Sequence, residues 1–178
     1  MGYAIQLHFD DSNTKKITTL TAQLHTTYGG LDLTGINAAP HISLAVFDTL
    51  VPERVERLLA DFAAATARFA LALAAVGSFP GPKSVVYLAP VVTADLLAVH
   101  TELHAQLRVV GLQSHGYYRP GSWVPHCTVA MELPKEHVAK AVADCRAANV
   151  FNTVQIESVE LVKFRPVEGI YHHPLRKS

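Results

Sequence analysis

Pro-His-Ile-Ser-Leu-Ala at residues 40–45 returns later in the chain as Pro-His-Cys-Thr-Val-Ala at residues 125–130. Both stretches have the pattern Pro-His-x-Ser/Thr-aliphatic-Ala. Alternation of buried and exposed side chains is typical of a strand, so each stretch is interpreted as a β-strand that carries one histidine and one hydroxyl on the same face. Two such strands in one chain indicate an internal duplication.

The segments that follow the two motifs support the duplication. Each motif is followed by a segment that opens with proline, Pro52 in the first copy and Pro134 in the second. Proline is favoured in the first turn of a helix because its missing N–H would have no partner there. Each predicted helix is followed by an apolar strand, at residues 69–76 and 154–162. Motif, helix and strand therefore recur in the same order.

Alternation and turn residues predict the other elements. The first strand, residues 3–9, has Ile5, Leu7 and Phe9 on one face and Gln6 and His8 on the other. The predicted strands are 3–9, 42–47, 69–77, 84–88, 126–131, 154–164 and 169–172. The predicted helices are 12–28 with Asp11 or Ser12 as N-cap, 52–68, 93–110 with Thr93 as N-cap, and 134–148. A turn at 80–83 joins two strands, and a glycine- and aromatic-rich loop spans 113–124.

This order of elements predicts an α+β fold. No glycine-rich phosphate loop follows a strand, which excludes the common dinucleotide and P-loop folds. We expect a bilobal duplicated fold, with two mostly antiparallel sheets and outer helices around a central cleft. Residues 1–178 are predicted to form a single domain of two pseudo-symmetric lobes with interleaved strands.

Composition bounds the possible functions. The 178 residues include 15 basic and 15 acidic side chains, so the net charge is zero and a broad non-specific nucleic-acid surface is excluded. Hydrophobic residues make up 49% of the chain, which is typical of a globular protein. The most apolar run, 69–76, is too short to span a membrane.

Two cysteines without a secretory signal do not make a disulfide framework. We expect a cytoplasmic monomer.

The motif residues are suited to acid–base chemistry on phosphate. His41 and Ser43 share one strand face, and His126 and Thr128 share another. One neutral imidazole can take a proton from an attacking water, and one protonated imidazole can give a proton to the leaving oxygen. The hydroxyls can donate to the oxygens on which charge accumulates. This set requires neither a metal nor a cofactor, so we expect none.

The paired motifs resemble those of the 2H phosphoesterase superfamily, which includes 2′-5′ RNA ligase-like proteins and cyclic nucleotide phosphodiesterases. The resemblance covers nearly the whole chain and includes the strand pairs at 77–88 and 156–171. It implies a two-lobed fold in which His41, Ser43, His126 and Thr128 are catalytic. It also implies that His126 is the base and His41 the acid.

The sequence departs from the family pattern at two positions. Ser43 stands where threonine is commoner. Many bacterial relatives have arginine five residues after the second histidine, where this chain has Met131. The cationic phosphate clamp of those relatives is therefore absent, and Arg119 or Lys83 is a candidate to replace it.

Other side chains are candidates for substrate contacts. The loop before the second motif carries Tyr117, Tyr118, Arg119 and Trp123. Aromatic rings can stack on a base, and arginine can bind a phosphate with two parallel hydrogen bonds. The alternative is that the aromatic residues only pack the loop. Gln6 and His8, on the non-core face of the first strand, are also predicted to line the cleft.

Two histidines in a predicted helix have the spacing of metal ligands, but the sequence does not predict a metal site there. His100 and His104 are four residues apart, a spacing that can hold a metal ion. The residues between them do not form an HExxH motif, and no third ligand is obvious. We expect both to be surface or partly buried polar residues.

Three functions remain open from the sequence. The first is an enzyme that hydrolyses a 2′,3′-cyclic phosphate, on a nucleotide or an RNA end, or ADP-ribose 1″,2″-cyclic phosphate. The second is RNA 2′-5′ end processing or ligase-like activity, although the chain lacks the Lys-x-Asp-Gly motif of ATP-driven ligases. The third is a nucleotide- or RNA-binding module without turnover, against which the intact histidines and hydroxyls count.

Overall fold

The computed structural model describes residues 2–79, 81, 84–164 and 166–177. The helices are α1 (Asp11–Tyr28), α2 (Glu53–Ala65), α3 (Ala94–Val109) and α4 (Val138–Ala147). The strands are β1 (Gly2–Phe9), β2 (His41–Phe47), β3 (Phe69–Phe79), β4 (Ser84–Pro90), β5 (Cys127–Leu133), β6 (Thr153–Phe164) and β7 (Glu168–Pro174). Every strand and helix predicted from the sequence is present. The predicted turn at 80–83 lies outside the described residues apart from Gly81.

The ends of α1 and α2 differ from the predictions. The N-cap of α1 is Asp10, whose carboxylate accepts from the Asn13 backbone N–H at 3.0 Å, so the prediction of Asp11 or Ser12 was wrong. The Asp10 carboxylate also accepts from the Gln155 N–H at 3.0 Å, which fixes it where β1 ends. The helix α2 ends at Ala65, because the next residues pair with the C-terminal segment through the bond from Arg68 N–H to Arg176 C=O.

The second half also contains short 3₁₀ turns that the sequence did not predict. Residues Lys135–His137 form one such turn ahead of α4, so the predicted helix 134–148 is divided in two. A second turn, Gly116–Tyr118, lies inside the predicted loop 113–124. The predicted N-cap of α3 is confirmed, since the Thr93 hydroxyl accepts from the Leu96 N–H at 3.2 Å.

The strands pair in the order β2-β1-β6-β3-β4-β5, with β7 added on β6. All these strand pairs are antiparallel. The first part of β3, from Phe69 to Ala72, pairs with β6, and its second part pairs with β4. The strand β3 therefore joins two antiparallel sheets, which confirms the predicted α+β class.

The strand order shows how the duplication is built. A shift of 85 residues relates His41 to His126 and also β3 to β6. Each half consists of strand, helix, motif strand, helix and strand, and the last strand of each half pairs with the first strand of the other half. Ala70 pairs with Gln155, its own equivalent, so the pseudo-twofold axis passes between these residues. The assignment of residues 1–178 to a single domain stays a prediction.

One apolar core lies between the sheets and the helices. The inward side chains of β1, Ile5 and Leu7, are fully buried, as the alternation predicted. They pack with buried side chains of all four helices, such as Leu24, Phe62 and Leu103. Burial of each such side chain stabilises the fold by about 1.5–3 kcal/mol. In the described part of the chain, no helix combines the length and apolar character needed to cross a membrane.

Candidate functional site

The first motif lies on β2 with its polar residues on the opposite face from the core. Ile42 and Leu44 are fully buried. His41 and Ser43 are partly exposed. Among the described strands, β2 pairs with β1 alone, so its other side is an edge of the sheet. The first histidine and hydroxyl therefore lie on an edge strand.

The second motif has the same arrangement. Cys127 and Val129 are fully buried, whereas His126 and Thr128 are partly exposed. The strand β5 is the edge strand at the other end of the strand order. The alternation predicted from the sequence is present in both copies.

A β-bulge follows the hydroxyl residue in each motif. In the pairing of β1 with β2, Ile5 faces Ala45 and Gln6 faces Ser43, so Leu44 is an extra residue. In the pairing of β4 with β5, Val129 is the extra residue in the same way. Bulges are common beside active sites, where they change the direction of a side chain. The duplicated bulge indicates that both hydroxyls are held in one particular direction.

Each motif imidazole is fixed through its Nδ1 atom. The His41 Nδ1 lies 2.7 Å from the carbonyl oxygen of Ala39, and the His126 Nδ1 lies 2.7 Å from that of Val124. A carbonyl oxygen only accepts, so Nδ1 carries the proton in both rings. The Nε2 atom of each ring is then left to accept a proton when neutral and to donate one when charged.

Both imidazoles have lowered pKa values. Burial lowers the pKa of His41 to about 4, and charges on His8 and His126 act in the same direction. Burial also lowers the pKa of His126 below its usual value of 6.5. Residues of β2 and β5 lie within 8 Å of each other, so the two motif strands are close in space. Both rings are therefore neutral in the free protein near pH 7.

The two motifs also meet through the core. Burial raises the pKa of the Cys127 thiol to about 12, and a hydrogen bond with the His41 backbone acts in the opposite direction. The thiol of the second motif therefore lies against the main chain of the first. Such a neutral, buried thiol is a packing group rather than a nucleophile.

His8 lies next to His41, and its predicted place in the cleft stays a prediction. The two ring centroids are 6.3 Å apart, and the two residues pair directly across β1 and β2. The Nε2 of His8 lies 3.1 Å from a carboxylate oxygen of Glu160 on β6. This contact is the main cause that lowers the pKa of Glu160, against the effect of burial. Gln6 pairs directly with Ser43 and is almost fully buried.

The surroundings of His126 are aromatic instead. The Phe79 ring meets the His126 ring edge-on with centroids 4.8 Å apart, and the Tyr87 centroid lies 5.4 Å away. Phe79 and Tyr87 stack on each other at 4.5 Å. A Cβ on Gly77 would overlap the Tyr87 ring, so only glycine leaves room for this ring. Phe79 and Tyr87 were not among the residues predicted for the site.

The loop before the second motif places its candidate residues at different depths. Tyr117 is 76% exposed and stacks on His115 at 5.2 Å. Tyr118 is half-buried, and burial raises the pKa of its hydroxyl. The Nε of Arg119 donates to the Ser114 carbonyl at 2.8 Å. Their contacts with substrate stay predictions, and Lys83 lies outside the described residues.

Trp123 is fixed by contacts within the protein. Its Nε1 donates to the carbonyl oxygen of Ser43 at 3.0 Å. Its ring stacks on the His100 ring with centroids 3.9 Å apart and an angle of 6° between the planes. A contact between Trp123 and substrate stays a prediction.

The two helical histidines are more buried than expected. His100 is 1% exposed and His104 is 6% exposed, which corrects the expectation of surface or partly buried side chains. The Nε2 of His100 donates to the Tyr118 carbonyl at 2.9 Å, and the Nε2 of His104 donates to the Leu44 carbonyl at 3.0 Å. These backbone partners come from distant segments, so the helical pattern of α3 did not indicate them.

Comparison with known proteins supplies the wider context. A family model described as the 2′-5′ RNA ligase superfamily matches residues 9–168. The structure is similar to Escherichia coli LigT complexed with 3′-AMP, with a TM-score of 0.65, 16% identity and 97% of each chain covered. It is also similar to a protein of Thermus thermophilus, with a TM-score of 0.65, 16% identity and full coverage of both chains.

A third similar structure comes from a eukaryote. Usb1 of Kluyveromyces marxianus matches with a TM-score of 0.57, 10% identity and coverage of 98% of this chain and 97% of that one. At these identities the structural matches show a common fold. A comparison with curated protein sequences finds no significant match.

Proposed function

Because this chain belongs to the 2′-5′ RNA ligase superfamily, we propose that it is a metal-independent phosphodiesterase that hydrolyses a cyclic phosphate to a monoester. The proposed substrates are a 2′,3′-cyclic phosphate on a nucleotide or an RNA end, and ADP-ribose 1″,2″-cyclic phosphate. His41, Ser43, His126 and Thr128 are the proposed catalytic residues.

The duplicated hydrogen bond from imidazole Nδ1 to a backbone carbonyl carries this proposal. It leaves the Nε2 of His41 and the Nε2 of His126 as two proton-transfer atoms, one in each motif. In the proposed reaction, the oxygen of a water molecule forms a bond to phosphorus as one ring takes its proton. The bond from phosphorus to one sugar oxygen breaks, and the other ring gives that oxygen a proton.

The hydroxyls of Ser43 and Thr128 are proposed to donate to the non-bridging phosphate oxygens. Charge on these oxygens increases in the transition state, so donors fixed in advance lower the barrier. The bulge after each hydroxyl residue supports this role, because it appears at equivalent positions in both motifs.

The solved relatives support a nucleotide-type ligand. Structures of Escherichia coli LigT contain 3′-AMP, NADP+, ATP or phosphate. All four ligands are phosphates, and three of them are nucleotides with an adenine base. We propose that this chain also takes a phosphate joined to a nucleoside or to an RNA end.

The first prediction concerns substrate and metal. We expect turnover of at least one of a cyclic mononucleotide, an RNA with a 2′,3′-cyclic end, and ADP-ribose 1″,2″-cyclic phosphate, with a mass gain of one water. We expect the same rate in excess EDTA, because the protein supplies acid, base and hydrogen-bond donors. Within the described ranges, no three His, Cys, Asp or Glu side chains are arranged to hold a metal ion.

The product of each reaction decides between the alternatives. Loss of turnover in EDTA that one divalent ion restores would contradict the proposed chemistry. Joined RNA ends would favour the ligase-like activity, and binding without any product would favour a binding module. Chromatography of the products against 2′- and 3′-monoester standards shows which sugar oxygen keeps the phosphate.

The second prediction concerns pH. The pKa of His41 is about 4 and that of His126 is also lowered, so these two motif imidazoles are mostly neutral above pH 6.5. We expect kcat/KM, which follows the free enzyme, to have a bell-shaped profile with its optimum below pH 6.5. A bound phosphate anion stabilises the charged ring, so the optimum of kcat should lie at higher pH.

Both profiles are obtained from initial rates across the pH range. Circular dichroism at each pH is the control that the protein stays folded. Coincident optima of kcat and kcat/KM above pH 7 would show that burial does not govern these imidazoles.

A further inference from the structure

Trp123 connects the two motifs directly. It lies three residues before His126, in the segment that leads into β5, yet its indole N–H donates to the carbonyl oxygen of Ser43 on β2. We infer that Trp123 is a positioning residue that holds Ser43 for the chemical step. This inference rests on the proposed function.

The backbone around Ser43 needs such a partner. The bulge at Leu44 interrupts the pairing of β2 with β1, and no described strand pairs with the other side of β2. The two consecutive carbonyls at this point are each bound by a side-chain N–H, that of Ser43 by Trp123 at 3.0 Å and that of Leu44 by His104 at 3.0 Å. A strand edge without these bonds is free to shift.

The indole itself has one defined orientation. It lies flat on the His100 ring, and His100 is 1% exposed and donates to the Tyr118 carbonyl. Burial lowers the pKa of His100 to about 4, so the ring under the indole is neutral near pH 7. The stack therefore fixes the direction of the indole N–H, and with it the Ser43 carbonyl.

Among the described residues, the bond is present in only one of the two halves. The residue equivalent to Trp123 under the shift of 85 residues is Ala38, which has no side-chain donor. By contrast, the backbone bonds at the ends of the motif strands are duplicated, from His115 N–H to the Val46 carbonyl and from Leu31 N–H to the Met131 carbonyl. Trp123 thus acts on Ser43 and has no counterpart at Thr128.

A double-mutant cycle tests this inference. Trp123→Phe keeps an aromatic ring for the stack and removes the N–H. We expect kcat to fall by about ten-fold with little change in KM. This loss is larger than the usual effect of removing one neutral hydrogen bond and smaller than the effect of misplacing a reacting group by about 1 Å. In a Ser43→Ala background the same change should lower kcat by less than about two-fold, because coupled residues are not additive. In a Thr128→Ala background the full ten-fold loss should remain.

Matched controls separate positioning from stability. Tyr28→Phe also removes one donor from an aromatic side chain, because the Tyr28 hydroxyl donates to Asp144 at 2.7 Å between α1 and α4. We expect it to leave kcat unchanged. Trp123 is the only tryptophan of the chain, so biosynthetic replacement by benzothienylalanine removes the N–H at this position alone with almost no change in shape. This variant gives the same test if Trp123→Phe fails to fold.

The outcomes separate the inference from the proposed function. Equal losses of kcat in both backgrounds would show a general structural role and would overturn the inference while turnover stands. A rise in KM alone would show that Trp123 contacts substrate instead. If the wild-type protein turns over no cyclic phosphate, the proposed function fails. The same cycle, measured on the affinity for a 2′-nucleoside monophosphate, then still shows whether Trp123 acts through Ser43.

Discussion

Replacement of either motif histidine by alanine should reduce kcat by about 10²–10⁴-fold, the usual contribution of a general acid or base. His41→Ala and His126→Ala each remove one Nε2 atom. The His8 imidazole lies 6.3 Å from that of His41, and its Nε2 contacts Glu160. Steady-state kinetics on the best cyclic phosphate of the panel measures the loss.

The hydroxyl variants provide the comparison. Ser43→Ala and Thr128→Ala remove hydrogen-bond donors but leave both proton-transfer groups, so we expect smaller losses that lie mainly in kcat. A loss of only a few-fold in both histidine variants, on every cyclic phosphate, would mean that the two rings are structural. The enzyme hypothesis would then be wrong.

A substrate with a very good leaving group should restore most of the rate of one histidine variant and not of the other. Such a leaving group departs without a proton, so the variant that lacks the acid no longer has a defect. The variant that lacks the base still has to activate water. On this substrate, the rate of the variant that lacks the acid should therefore approach the wild-type rate. A p-nitrophenyl phosphodiester and a cyclic phosphate, measured side by side, give the comparison.

The identity of the recovering variant assigns the two roles. The family resemblance implies that His41 is the acid, so His41→Ala should recover. The pKa of His41, about 4, favours the opposite assignment, because a ring that stays neutral is suited to act as the base. Recovery of His126→Ala would support that second assignment. Equal recovery of both variants, or of neither, would contradict a division into one acid and one base.

The motif and its faces could be predicted from the sequence, because they depend on local periodicity. His41 and Ser43 are two residues apart on a strand, so their common face follows from strand geometry alone. The duplication then predicted the same for His126 and Thr128. The buried alternate positions, Ile42 in the first motif among them, confirm this interpretation.

The surroundings of the motifs could not be predicted, because they depend on strand register between distant segments. Phe79 and Tyr87 reach His126 only because β3 pairs with β4 and β4 pairs with β5 in one particular register. Glu160 reaches His8 through the pairing of β1 with β6. The sequence of a single strand does not contain this information.

The bulges and the buried histidines of α3 show the same limit. A bulge depends on how the residues of two strands pair with each other. The sequence around Leu44 does not contain this pairing, so Leu44 looks like an ordinary strand residue. His100 was expected to be a surface or partly buried residue, because a polar residue on a helix usually faces water. The His100 ring bonds to the Tyr118 carbonyl, which lies in a loop. This hydrogen bond offsets the free-energy cost of burying a polar ring.

The exchange of last strands between the two halves also determines when the protein can fold during synthesis. β1 begins at Gly2, and one of its two partners, β6, ends with Phe164, so the paired residues at this end of the ladder are 162 positions apart in the chain. A ribosome therefore releases the whole first motif long before the strand that completes its sheet exists. Pairings of such high sequence separation are slow to form, because the intervening chain has to be ordered first. Until then β1 has an open edge, and protection of the nascent chain matters most in this interval.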